Sequence, residues 1–468
     1  MAEKQTTSLR ESKTARWTVL ILVSFTMMCM YYLTDAMAPL QERLQAKLNW
    51  SASDYGLFTS GYGWFNVFLL MLVFGGMLLD KMGIRFTGIL AIAVMLVGAL
   101  IKYLAVSGYF GDGLGLHIGS LTFFGSTKTS AAMAGLGFAI FGVGCETFGI
   151  AANKAVVRWF KGKEMALAIG LNTSTGRIGT ALAMFTPIPL VKMTGNISFP
   201  VLLSLFLLCL GLLVFILFTV MDRKLDKEDS AAGVQHDDEF KFSDVLQVAK
   251  NKAFWLITIL CVLFYSAVFP FIKYATNLIT QKFEVNEAFA GYIPALLPFS
   301  ALLLTPFFGS LYDKKGKGAS IMILGSVLLV VVHLLFSVPS LNSLPVAIGL
   351  VMVLGIAFSL VPSAMWPSVA KIVPEKQLGT AYALTFWVQN WGLMGVPMLI
   401  GWVLDKYCVK GTITKLVDGS EQSITQYNYT IPMLIFACFG VLAILFAFLL
   451  KAEDHKKGYG LEKPNIKH

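Results

Sequence analysis

Glu146 and Arg177 are the residues whose types and spacing point most directly to chemistry. Each stands inside a long apolar run, where an ionised side chain is costly and marks either a solute path or an internal charge pair. Counting along the chain, Glu146 precedes Arg158 and Arg177 follows Glu164 by a similar number of residues; at 1.5 Å per helical residue both lie roughly 18–20 Å from the same short connection. They share a depth. A carboxylate suits an ammonium group, and a guanidinium grips a carboxylate through two parallel hydrogen bonds. The pair therefore suits a zwitterionic solute, the alternative being that the two charges simply satisfy each other.

Four more side chains join the candidate set. Asp35 lies in the outer part of the first apolar run, within Tyr31-Tyr32-Leu33-Thr34-Asp35, and either lines a cavity or caps a helix end. Lys273 follows Phe269-Pro270-Phe271-Ile272 and either neutralises Asp35 or binds a solute carboxylate. Tyr62 and Tyr265 carry hydroxyls and are expected to touch solute, whereas Trp64, Trp366, Trp387 and Trp391 read as packing or interface anchors. Lys102 and Lys154 lie near helix ends and are expected to snorkel to the interface.

These residues need elements that hold them within a bilayer. Of 468 residues, 56% are hydrophobic and only 14% are charged, and the mean hydropathy is +0.71. Soluble domains carry about 25% charged residues, so a water-soluble enzyme is excluded. Apolar runs long enough to span the hydrocarbon core recur twelve times: 17–40, 55–79, 86–108, 131–157, 166–192, 197–221, 253–281, 287–311, 319–339, 343–371, 379–403 and 431–451. The expected fold is an all-α membrane protein of twelve transmembrane helices in two pseudo-symmetric six-helix halves. The halves are 1–221 and 253–468, joined by a central loop at 222–252 in which Phe240, Phe242, Val245, Leu246 and Val248 suggest a short amphipathic helix.

The net charge of +10 is topological. Most lysines and arginines fall in the N-terminal segment, the even-numbered loops and the C-terminal tail, which places both termini in the cytoplasm and removes the case for a nucleic-acid partner. Cys29, Cys145, Cys209, Cys261 and Cys438 lie in apolar runs and Cys408 in a loop, so no disulfide framework is expected. His117, His236, His333, His455 and His468 are scattered, and no phosphate-binding Gly-x-x-x-x-Gly-Lys-Ser/Thr occurs. No metal, cofactor or enzymatic activity is expected; the partners are a small-molecule solute and the lipid bilayer.

A repeated motif divides the chain. Gly76-Met-Leu78-Leu-Asp80-Lys81-Met-Gly83-Ile-Arg85 is echoed by Gly309-Ser-Leu311-Tyr-Asp313-Lys314-Lys-Gly316-Lys317. Gly176-Arg177-Ile178-Gly179 also stands as far after Lys163-Glu164 as Gln389-Asn390-Trp391-Gly392 stands after Lys376-Gln377, the mark of a duplicated bundle. Gly76 and Gly309 are read as permitting close helix approach, Gly83 and Gly316 as tight turns, and Asp80 and Asp313 as sitting where a helix enters water.

At these positions the sequence resembles the major facilitator superfamily. The resemblance implies a gating role for Gly76, Asp80, Lys81, Gly83, Arg85, Gly309, Asp313, Lys314 and Gly316: such an aspartate meets the N-terminal end of a helix from the opposite half and latches the cytoplasmic side shut, consistent with the helix dipole. Tyr62-Gly-Trp64-Phe-Asn66, Gly142-Val-Gly144-Cys-Glu146, Asn153-Lys154 through Lys163-Glu164, Trp366-Pro367, Val373-Pro374-Glu375 and Gln389-Asn390 look like the lysosomal dipeptide uniporters within that superfamily. In those proteins the matching glutamate and arginine lie in the substrate cavity. The resemblance therefore implies a substrate site at Glu146 and Arg177; with the residues read on their own chemistry the expected site is Glu146, Arg177, Asp35, Tyr62, Tyr265, Lys273 and Asn390, Lys273 departing from those proteins, whose lysine stands one turn later.

Proton-linked antiporters of the superfamily often carry an arginine where Phe138 precedes Gly142 here. Facilitated diffusion of dipeptides or amino-acid-like molecules by alternating access is the expectation that follows, with an organic-anion or proton-coupled carrier, and then a non-transporting sensor, as alternatives. The N-terminal tail lacks the acidic dileucine pattern of the lysosomal relatives, which points to a bacterial inner membrane, a lysosomal membrane being the alternative. The need for an accessory subunit stays open.

Overall fold

The computed structural model describes residues 9–110, 127–160, 163–231, 242–374, 377–417 and 420–464. Every expected apolar run falls on helix. The first helix is Lys13–Asp35, opened by Ser12, whose hydroxyl accepts Ala15 N–H. The second is assembled from Ala52–Ser60, a 3-10 turn at Gly61–Gly63 and Trp64–Phe68, then resumes at Met71 and runs without a loop into the third, ending at Val106. The turn between second and third is Gly83, at φ +77°. The fourth is Thr129–Phe160 and the fifth Met165–Phe185, continued by Pro187–Thr194. The sixth, Phe199–Ala231, extends well past the expected boundary. A short helix, Phe242–Ala249, occupies the central loop, with Val248 buried and Leu246 exposed; Phe240 lies outside the described residues.

In the second half the seventh to tenth helices are Lys252–Phe283, Tyr292–Lys315, Gly318–Ser337 and Leu344–Ile372. The eleventh is Leu378–Tyr407 and the twelfth Thr430–Lys457.

Among the described residues, nine helices are long and apolar enough to cross a membrane. The second, fifth and eleventh are missing from those nine as separate spans. The second is interrupted at Leu69 and Leu70, the fifth carries Asn172-Thr173-Ser174-Thr175-Gly176-Arg177, and the eleventh carries Gln389 and Asn390. These helices border the site described below, and their polarity is local to it.

Burial separates lining helices from lipid-facing ones. The most apolar stretch of the seventh helix is 72% buried and that of the sixth only 33%, so the seventh is central and the sixth presents Phe206, Leu213, Leu217 and Val220 to lipid. Within each half the contacts repeat: the first helix packs on the fifth and the third on the fourth, as the seventh packs on the eleventh and the ninth on the tenth. Across the halves the second lies on the eleventh and the fifth on the eighth.

One element is absent from the sequence reading. Between the eleventh and twelfth helices, β1 (Val409–Val417) and β2 (Ser420–Tyr427) pair antiparallel in register Ile413 with Ile424. Val417 and Ile424 bury against Ala46 beyond the first helix, so this hairpin of the second half rests on the first. The two faces of the molecule are called here the hairpin face and the termini face.

Two glycine roles need correcting. An added Cβ at Gly76 or Gly309 would meet nothing within 4 Å, so neither marks a close helix contact. Gly83 and Gly316 are the ones the backbone requires, both at positive φ. At Gly316 a Cβ would also lie 2.5 Å from the Glu462 carbonyl oxygen, because the C-terminal tail docks there: Lys317 and Gly318 N–H donate to Glu462 and Leu461 carbonyls, and the Glu462 carboxylate accepts Ser320 N–H and hydroxyl, each at 2.9 Å. All six cysteines are free.

Candidate functional site

The fourth helix seats against the second through Gly142, whose Cβ position is 2.3 Å from the Tyr62 carbonyl oxygen. Only glycine permits that approach, and it brings Tyr62 beside Glu146, one turn further along. The Tyr62 hydroxyl donates to Glu146 Oε1 at 2.9 Å. Asn390 reaches the same oxygen from the opposite half, its Nδ2 at 3.4 Å. Three residues singled out from sequence are thus one cluster that crosses the halves.

Arg177 forms a second cluster. Its guanidinium carbon lies 4.7 Å above the Phe358 ring and 5.7 Å from that of Phe269, both from the second half, a cation–π arrangement that strengthens as water is excluded. Tyr265 stacks on Phe269 with ring centroids 5.0 Å apart and accepts Trp366 Nε1–H at 3.3 Å. Arg177 and Tyr265 therefore share one aromatic surface. Glu146 and Arg177 are both partly exposed rather than sealed, and no ion pair joins them among the described residues. Neither charge neutralises the other.

Asp35 and Lys273 meet at 2.5 Å across the halves, and Lys273 also donates to the Thr34 carbonyl at 2.7 Å. Of the two roles open to Lys273, neutralising Asp35 is the one seen. Beside them Lys102 departs from expectation. It does not snorkel: it is fully buried, its ammonium 3.2 Å from the Leu33 carbonyl oxygen and 4.4 Å from the Phe138 ring centroid. Lys273 lies 5.7 Å from the same ring, so the position where related antiporters carry arginine holds a neutral aromatic flanked by two amines. Lys154 is exposed, as expected, and binds Asp80 at 2.6 Å.

Further cross-half bonds lie on the hairpin face. Arg43 binds Glu287 at 2.6 Å, Lys415 binds Glu42 at 2.9 Å, and Asp405 accepts Ala52 N–H at 3.1 Å and Ser53 N–H at 2.6 Å. Gly56 and Gly401 make this contact possible, with Cβ positions 2.7 Å from Pro397 O and 2.3 Å from Ala52 O respectively. A polar cleft of about 530 Å³ between Arg43, Lys192, Gln281, Glu287 and Lys415 marks the seam from outside.

On the termini face Asp80 and Arg85 of the first motif serve their own half. Asp80 is held by Lys154 of the same half. Arg85 and Arg158 both bind Asp222 and Asp226 in the sixth helix, the pairs to Asp222 at 3.4 and 3.1 Å. Lys81 borders an apolar groove of about 350 Å³ between the second, third and fourth helices. Asp313 is half-buried and Lys314 exposed. Among the described residues the latch from Asp80 to the opposite half is not engaged, while the hairpin face is bonded shut.

Sequence reasoning missed Phe269 and Phe358 as partners of Arg177, Lys102 as a buried charge, and Asp405. Only Asp405 left a signal, as an acidic residue ending an apolar run.

Comparison with known proteins agrees with this architecture. The sequence profile of the Major Facilitator Superfamily matches residues 20–397 and 274–466. The chain is 30% identical over 404 residues to the lysosomal dipeptide transporter MFSD1 of Homo sapiens, covering 83% of this chain and 80% of that one, and 30% identical over 413 residues to the Bos taurus protein of the same name. It is 29% identical over 166 residues to the inner membrane transport protein YdiN of Escherichia coli strain K12, 34% of this chain and 38% of that one. Two solved structures share the fold: the nucleoside transporter NupG (TM-score 0.64, 16% identity, 92% of this chain and 99% of that one) and a bacterial homologue of the human lysosomal transporter Spinster (TM-score 0.66, 14% identity, 95% and 98%). A duplicated bundle of membrane-spanning helices, opposite charges held unpaired where its halves meet, and a match along nearly the whole chain lead to one conclusion: this protein belongs to the Major Facilitator Superfamily and is a multi-pass membrane transporter, not an enzyme.

Proposed function

We propose that the chain carries small zwitterionic solutes, dipeptides or amino-acid-like molecules, by alternating access and facilitated diffusion. The observation that carries this reading is the separation of Glu146 from Arg177. Each charge is partly exposed, each is held by neutral groups, and those groups come in part from the opposite half. Two unneutralised charges of opposite sign on adjacent helices complement an ammonium and a carboxylate on one molecule. The similarity to proteins named dipeptide transporters supports the same solute class. An organic-anion carrier is less well supported, because Lys273, its second cation, is engaged by Asp35.

Facilitated diffusion draws on Phe138, which leaves the fourth helix without the arginine of proton-linked antiporters. Both termini are assigned to the cytoplasm from the basic residues of the termini face. The membrane is taken as a bacterial inner membrane, and the similarity to lysosomal transporters favours the alternative, a lysosomal one.

Uptake of a radiolabelled dipeptide into proteoliposomes tests the reading, with Glu146→Gln and Arg177→Gln beside the wild type. Loss of uptake in both variants is the expected result; uptake by both at the wild-type rate would remove the assignment.

A further inference from the structure

Asn390 is fully buried in the eleventh helix. Its Nδ2 donates to the Phe386 carbonyl at 2.9 Å and to Glu146 Oε1 at 3.4 Å. Both neighbours are acceptors, so the amide orientation is dictated by its surroundings; turned over, it would set oxygen against two oxygens. The consequence is that Asn390 Oδ1 is a buried acceptor with no donor. Buried polar atoms are nearly always satisfied, and an exception calls for an explanation.

Glu146 offers the complement. Its Oε1 is occupied by Tyr62 and Asn390, while its Oε2 takes no hydrogen bond among the described residues. Oxygen and nitrogen of one amide are ~2.2 Å apart by standard bond lengths. With Nδ2 at 3.4 Å from Oε1, Oδ1 therefore lies within about 5.6 Å of the Glu146 carboxylate. One tetrahedral nitrogen donating two near-linear hydrogen bonds of ~2.9 Å spans acceptors ~4.7 Å apart, inside that bound.

We infer that Asn390 is a specificity-determining residue, the second acceptor for the primary ammonium of a solute bound at Glu146. A nitrogen must carry at least two hydrogens to serve both oxygens. A primary ammonium does; an N-acylated amine has one hydrogen and no charge. Glu146 belongs to the first half and Asn390 to the second, so the bound ammonium is also a tie between the halves. This inference rests on the zwitterion reading given under Proposed function.

The test uses the full-length protein in proteoliposomes, with radiolabelled dialanine as the transported probe and N-acetyl-dialanine as competitor. The quantity read is the ratio of the competitor's inhibition constant to the KM for dialanine, in wild type, Asn390→Leu, Asn390→Thr and Glu146→Gln. Asn390→Leu removes the acceptor and is expected to raise the dialanine KM and to shrink the ratio by about tenfold, the effect of losing one hydrogen bond to a charged group. Asn390→Thr keeps a hydroxyl acceptor and is expected to fall between, and it carries the test if the leucine variant does not fold. A ratio unchanged in both Asn390 variants, with uptake lost in Glu146→Gln, overturns the inference and leaves the zwitterion site standing. No dialanine uptake by wild type, or wild-type uptake by Glu146→Gln, overturns both.

Discussion

Asp405 accepts the backbone N–H of Ser53 at 2.6 Å, so the end of the eleventh helix caps the beginning of the second from the other half of the molecule. The first amides of a helix have no partner within it and carry partial positive charge. A carboxylate supplied across the seam stabilises one conformation only, that in which the hairpin face is closed.

Asp405→Asn keeps the acceptor oxygen and removes the charge. Closure of the hairpin face is expected to weaken by about 1 kcal/mol. A Thr34→Cys reporter, attacked by a membrane-impermeant maleimide from that face, should react about fivefold faster; an unchanged rate would mean the cap does not contribute to the equilibrium.

The Asp35–Lys273 pair is more deeply placed, with side-chain exposures of 9% and 13%. Removing one partner of a buried pair costs about 3–5 kcal/mol because the other charge is stranded. Asp35→Asn is thus expected to lower the thermal midpoint markedly, and Asp35→Asn combined with Lys273→Met to recover most of the loss. A double variant no more stable than the single one would contradict the pairing.

Lys102 gives the opposite sign. Its ammonium is fully buried with one carbonyl and aromatic rings for company, and replacing such a charge by an apolar side chain of similar length is often neutral or stabilising. Lys102→Met should melt within about 1 kcal/mol of wild type or above it; a fall as large as that of Asp35→Asn would show that the charge itself supports the fold.

The glycines of the second motif separate by role. Gly316→Ala forces a side chain into positive φ and against the Glu462 carbonyl, so the tail at 458–464 should undock and be cut faster by limited proteolysis. Gly309→Ala, facing open space, should leave the cleavage rate unchanged. Equal rates in the two variants would sink this account of tail docking.

Why some of this was legible in sequence and some was not follows from what each feature depends on. Helix positions depend on unbroken apolar length, which any chain displays directly, and the duplicated motif located the two turns at Gly83 and Gly316. Glu146 and Arg177 stood out because a charge in an apolar run is rare. The direction a side chain takes is a different matter. Lys102 has the composition and depth of a snorkelling lysine, yet it turns inward because Phe58 and Phe138 offer ring faces and Leu33 a carbonyl. Phe269 and Phe358 could not be told from packing residues, since their role is defined by Arg177 arriving from the other half. The hairpin escaped notice for a related reason: its strands are mostly exposed, and only Val417 and Ile424 settle on a surface, Ala46, far away in the chain.

That hairpin has a practical side. Lys415 on β1 is salt-bridged to Glu42, in the short helix Gln41–Leu48 that follows the first, which places residues from both halves within the footprint of one antibody. A nanobody raised against this composite epitope would recognise the shut form alone, serving as a reporter of state in living membranes and as a clamp that stalls the cycle from the side where solute cannot enter.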